Sequence, residues 1–165
     1  MPEFDSFLKA ATHCAEMAVA QHEATHNALE RATRLLQRKA KQKFGEYQEQ
    51  AGQFVAWAEL ADSTQDQRER AGYEPDEPLL RDGTLREGIQ RLVKDGEGYV
   101  GSNDDVMVYQ ELGTKNMPPR SVLGATGVEN VEGVVKIVGQ SVVMALVGEY
   151  VFEGSIDILE WSAKP

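Results

Sequence analysis

The chain has 165 residues, enough for one domain with a hydrophobic core of its own. Its 27 acidic and 17 basic side chains leave a net charge of -10, which argues against a general binder of nucleic acid or anionic membrane. A lone cysteine, Cys14, forbids an internal disulfide, no apolar run approaches the roughly 18 residues of a membrane span, and MPEFDSF lacks the features of a signal peptide, so a soluble, non-exported protein is expected.

Residues 5 to 44 contain neither proline nor glycine. Phe7, Ala11, Cys14 and Ala18, then Leu29, Ala32, Leu36 and Ala40, recur at three- and four-residue steps, which predicts a helix with one apolar stripe ending at Gly45. Forty residues of helix span about 60 Å, more than a compact core of this size can cover. The helix must therefore break near His26-Asn27 or project toward something outside the subunit. Its second half carries a basic tract, Arg31, Arg34, Arg38, Lys39, Lys41 and Lys43. That tract is either a solvated face or a contact for an acidic neighbour, including another copy of the chain.

Residues 46 to 80 are polar and rich in glutamine, with Trp57 and Leu60 as isolated anchors. They read as a loop-rich connector with a short helix around Asp62 to Arg70. Leu85 to Leu92 suits a strand or a short helical turn. Gly98 to Ser102 and Val106 to Tyr109 read as two strands joined by turn-forming Asn103-Asp104-Asp105. Thr126 and Glu129 have capping-box spacing, and Val128, Val131, Val135, Val138, Val142 and Leu146 predict a helix running from there to Gly148. Ser155 to Trp161 alternates apolar and polar residues, the pattern of a half-buried strand. The expected fold is a single α+β domain over residues 1–165. It divides into an N-terminal helical segment at 1–45, a connector at 46–80 and an α+β core at 81–165. Its parts are a long N-terminal helix or helical hairpin, a small, mostly antiparallel sheet, and one C-terminal helix packed on that sheet.

Two strings invite a chemical reading. His22-Glu23-Ala24-Thr25-His26 fits H-E-x-x-H, in which histidines four apart on one helix face hold zinc and the glutamate activates its water. A catalytic zinc needs a third protein ligand, but Leu29 and Ala32 occupy the places where one large class of such enzymes has glycine and histidine. Glu46, beyond Gly45, is the remaining candidate, and His13 has no partner in the pattern. The string reads as ordinary helix surface, with a small zinc metallopeptidase as the alternative. Gly96, Gly98 and Gly101 are spaced like a phosphate loop, but no helix is expected after them. Cys14, on the apolar stripe, reads as a buried small hydrophobe.

The most informative segment runs from Trp57 to Gly124. Trp57-Ala58-Glu59-Leu60 and Thr64 precede "EPLLRDGTLREGI", "YVGSNDDVMVYQELGT" and "MPPRSVLG". In this order the blocks resemble the virion-morphogenesis and tail-completion proteins of tailed bacteriophages, the head–tail joining (neck) components of long-tailed phages. The matching positions are Pro78, Leu79, Leu80, Arg81, Gly83, Leu85, Arg86, Ile89, Val100, Gly101, Ser102, Tyr109, Gly113, Thr114, Pro119, Arg120 and Leu123, whereas Ser121-Val122 stands where an aromatic often follows the arginine. The resemblance covers the middle 70 or so residues well and the ends only in outline.

The resemblance implies a non-enzymatic virion protein, without cofactor or metal, assembled in the host cytoplasm and placed at the head–tail interface. It would form a ring of six, or a multiple of six, beside head-closure or connector and tail-tube or tail-terminator proteins. DNA would pass through without specific binding and no membrane would be involved. Arg31, Arg34, Arg38, Arg81, Arg86 and Arg120 are the candidate contacts to a neighbouring element, subunit or partner, because a guanidinium forks onto carboxylates. Gly83, Gly113, Pro118 and Pro119 are the candidate structural turns.

Overall fold

The computed structural model describes residues 6–147. These form a mixed α+β arrangement. Along the chain come α1 (Phe7–Gln42), α2 (Asp62–Arg70), α3 (Thr84–Glu87), β1 (Gln90–Lys94), β2 (Glu97–Gly101), α4 (Asp105–Leu112), α5 (Leu123–Glu129) and α6 (Val131–Val147). No helix among the described residues is long and apolar enough to cross a membrane. The strand expected at Ser155 to Trp161 lies outside the described residues.

α1 is one unbroken helix of 36 residues. The Ser6 hydroxyl accepts from the Lys9 N–H at its start, and the Lys43 N–H closes it on the Ala40 carbonyl. Gly45 follows at φ 92° and donates to the Pro78 carbonyl, ending the helix where the sequence places its stop. The helix does not break at His26-Asn27. Burial along α1 begins only at Ala28, and Phe7 near its start is 91% exposed.

The second half of α1 is a wall shared by two apolar clusters. On one side Ala28 and Ala32 meet Ile137, with Leu35, Val134 and Val138 around them. α6 runs back along α1 here, with Gly133 near Leu35 and Ser141 near Arg31. On the other side Ala40 and Phe44 join Trp57, Ile89, Met107 and Val122. The connector is therefore part of this core: Trp57, Tyr47, Leu79 and Leu80 all pack in it. The last helix packs chiefly on α1, and the hairpin packs on a neighbouring stretch of the same helix.

β1 and β2 pair antiparallel from Gln90↔Gly101 to Lys94↔Glu97. Asp95 and Gly96 make the two-residue turn, both at positive φ (53° and 78°), as the right-handed twist of a tight hairpin requires. The Leu85 to Leu92 segment supplies both of its alternatives in succession, the helical turn α3 and then β1. The hairpin is tied to α1 by Gln37 Nε2 donating to the Ile89 carbonyl at 2.8 Å and by the Arg91–Glu30 ion pair. Gly98 lies so close to α1 that a Cβ there would stand 2.7 Å from Thr33 Cγ2.

Two elements differ from the sequence expectation. Val106 to Tyr109 is helix, because Asp104 caps it by accepting from the Val106 N–H at 2.8 Å. Met107, one residue on, anchors that helix in the core. The Asp104 cap outweighs the strand preference of two valines, and Asn103 to Asp105 is a helix start where a strand-joining turn was expected. Thr126 does not cap the last helix. It is buried inside α5, and its hydroxyl has no hydrogen-bond partner among the described residues. Asn130 separates α5 from α6 and donates from Nδ2 to the Thr126 carbonyl.

Gly113 ends α4 at φ 74° and ψ 175°, backbone that glycine alone adopts readily. A Cβ there would stand 2.9 Å from the Met117 carbonyl oxygen and from the Pro119 nitrogen. Gly113→Val is expected to cost about 3 kcal/mol or more in denaturant unfolding, because strain and collision add. Unchanged stability would contradict this account of the turn.

Candidate functional site

The zinc-like string lies on one continuous stretch of α1. His22, Glu23 and His26 are all exposed on α1, upstream of the buried stretch. Among the described residues no third histidine, cysteine, aspartate or glutamate stands with them as a ligand set. Glu46 lies past the far end of α1, about 24 Å or more from His26 along the axis at 1.5 Å per residue. Glu30 stands near His26, and it is already engaged: its carboxyl is held below the ordinary glutamate value mainly by the hydrogen bond from Arg91, with a smaller contribution from His26. Cys14 is exposed, since nothing among the described residues covers the stripe at that end of α1.

The Gly96-x-Gly98-x-x-Gly101 string lies in the hairpin. A helix does follow it, contrary to expectation, but the strands are antiparallel and the carboxylate of Asp104 occupies the first turn of α4. A phosphate there would meet a negative charge instead of free N–H groups.

The arginines divide into three kinds. Arg120 is 5% exposed and forks onto backbone: Nη2 donates to the Ala58 carbonyl at 2.8 Å and the Glu59 carbonyl at 3.2 Å. Burial lowers its pKa from the usual arginine value. It is therefore a clamp within the subunit, which removes it from the candidate interface residues. Arg68, unnoticed in the sequence, does the same with the Glu74 and Leu80 carbonyls. Arg81 covers the Tyr73 ring at 4.8 Å, and Arg86 sits beside Glu87. In the basic tract, Lys41 pairs with Glu87 and Lys43 with Glu129, and Arg31 donates to Ser141 Oγ. Arg34 and Arg38 are exposed and make no hydrogen bond or ion pair among the described residues.

Sequence reasoning also missed Glu111. α5 begins at Val122–Leu123 with no local side chain to cap it. The Glu111 carboxylate reaches across from α4 and accepts from Val122 N (2.8 Å), Leu123 N (3.0 Å), Gly124 N (2.7 Å) and the Ser121 hydroxyl (2.6 Å). Three backbone donors that a helix start leaves open are satisfied by one anion. Glu111 and Leu123 both lie in the segment from Trp57 to Gly124, but nothing in their spacing pairs them. Beside this joint is an open hollow of about 520 Å³ whose walls include Leu60, Arg81, Asp104, Gln110, Met117 and Arg120. Its lining also carries Thr64, Thr84 and Asp82, and the Asp82 carboxylate accepts from the Thr84 N–H at 2.9 Å.

No family model, no curated protein and no solved structure matches the chain.

Two outcomes are expected from substitution. Glu111→Gln should destabilise the fold by about 2 kcal/mol, because its amide presents a donor to donors already in place, and denaturant unfolding reads the loss. His22→Ala and His26→Ala should leave thermal unfolding and assembly unchanged, with less than one zinc per chain in the wild type. Stoichiometric zinc lost in either variant would restore the metallopeptidase alternative.

Proposed function

We propose that this chain is a structural, non-enzymatic protein of the head–tail junction of a long-tailed bacteriophage, joining tail to head as a ring of six copies or a multiple of six. The reading rests on the ordered blocks between Trp57 and Gly124 and on what those residues do in the fold. Leu80, Leu85, Ile89, Val100 and Leu123 fill the main core, Gly83 (φ 83°) and Gly113 make turns, and Arg120 clamps the connector. Pro118 and Pro119 lead into α5 and border the Gly113 turn. The residues that carry the resemblance thus build a scaffold, as a structural role requires.

The observation that carries the reading furthest is α1. Among the described residues nothing buries its first half, with Phe7, Leu8 and Val19 exposed, and a helix of this kind is useful to a protein that is completed by neighbours. A ring of acidic subunits, net charge -10 each, would also let DNA pass without holding its phosphates. Head-closure or connector proteins and tail-tube or tail-terminator proteins are its expected neighbours.

Removing the gene from a phage that encodes it should leave filled heads and finished tails that do not join, scored by electron microscopy. Normal virions in its absence would overturn the proposal.

A further inference from the structure

The described surface carries its charge unevenly along α1. One exposed stripe contains Glu16, Ala20, Glu23, Asn27, Arg31, Arg34 and Arg38, spaced at three and four residues and so aligned on one side of the helix. Its first half is acidic and its second half basic. Glu16 and Glu23 are seven residues apart, as are Arg31 and Arg38, so each set spans about 10 Å. Glu16 and Glu23 have no hydrogen bond or ion pair among the described residues, and the same holds for Arg34 and Arg38. The two charge sets cannot meet within one straight helix, because even Glu23 and Arg31 are eight residues, about 12 Å, apart along its axis.

The basic half is also recessed. Two open hollows, about 720 Å³ and 500 Å³, adjoin at Arg34. One is bordered by Ala20, Ala24, Glu30, Arg31, Ser141 and Met144, the other by Arg38, Arg86 and Glu87. Together they form a trough along α1 beside α6 and α3, with the guanidinium groups of Arg31, Arg34 and Arg38 along it and the carboxylates of Glu30 and Glu87, already paired with Arg91 and Lys41, at its sides. The acidic half borders the first hollow through Ala20 and Ala24, while Glu16 and Glu23 stand exposed and none of its residues is buried among the described residues.

We infer that the projecting first half of α1 from a second copy lies in this trough, with Glu16 and Glu23 against Arg31, Arg34 and Arg38. The contact is between unlike halves of the same helix, so every copy offers both surfaces. Alanines at 20 and 24 keep the approach close, and charge fixes which half meets which. The inference deepens the ring of the proposed function by naming the contact, and its test separates the two.

Two charge-reversed proteins supply that test: Glu16→Arg with Glu23→Arg, and Arg34→Glu with Arg38→Glu. Each has like charges in both halves, so each alone should associate at least about tenfold more weakly than the wild type, measured by mass photometry and light scattering. Mixed in equal amounts they should recover association, since each trough then meets a half-helix of opposite charge. Wild-type association should weaken as salt rises. All four positions are exposed, so thermal unfolding should stay near that of the wild type. If a reversed protein fails to fold, Glu16→Gln with Glu23→Gln reads the same contact through a flattened salt dependence. A reversed protein that assembles like the wild type, or a mixture that recovers nothing, overturns the contact and leaves the ring standing. Wild type that stops at pairs while the mixture still recovers overturns the ring of six and supports the contact.

Discussion

Everything in this fold leans on the second half of α1. A single helix cannot enclose a core, and here one helix serves as the common wall for two. That requires small residues where partners come close and larger ones where space must be filled. Ala28 and Ala32 admit α6, Thr33 lies against the bare backbone of Gly98, and Ala40 opens the floor on which Phe44, Trp57 and Ile89 pack. Enlarging any of the three alanines would push apart elements that are not bound to one another directly, since the hairpin and α6 communicate mainly through α1.

The long segments between regular elements are held by charge on backbone. A connector of this length would otherwise expose carbonyls and amides to a partly dry interior. Arg120 and Arg68 supply forked donors to four carbonyls, Glu111 supplies a doubly occupied acceptor to a helix start, and Tyr47 takes the Leu60 N–H while donating to Asp76. The tyrosine hydroxyl is held protonated beyond its usual range, first by burial and then by the Asp76 carboxylate. Ionic groups used in this way trade solvation for geometry. They leave little freedom in the loops they bind.

How much of this could be read from the residues varies with the range of the interaction. Period and the absence of Gly and Pro gave α1 and its end at Gly45, and turn composition located α2 to the residue. The α+β class followed from the same patterns. α4 was misread because Val106 and Val108 speak for strand, while the deciding cap is a single aspartate that also looks like a turn residue. The true start of α5 was invisible, since its cap comes from Glu111 eleven residues earlier on another element. The arginines show the same limit: six candidates look alike in the sequence, yet Arg120 is enclosed, Arg81 and Arg86 have neighbours in the chain, and Arg34 and Arg38 face outward. Spacing identifies a face, and only packing tells what the face meets.

The partnership between α1 and α6 also sets an order in time. Ser141 and Arg31 are 110 residues apart, and Glu129 and Lys43 are 86 apart, so these contacts close the longest loops in the described chain. The hairpin and the α4–α5 joint close over far shorter distances and can settle first. On the ribosome α1 is made long before its partner emerges. Ala28, Ala32 and Leu35 therefore stay wet until α6 has been made, whereas Ala40 and Phe44 on the same helix meet Trp57 and Ile89 much sooner.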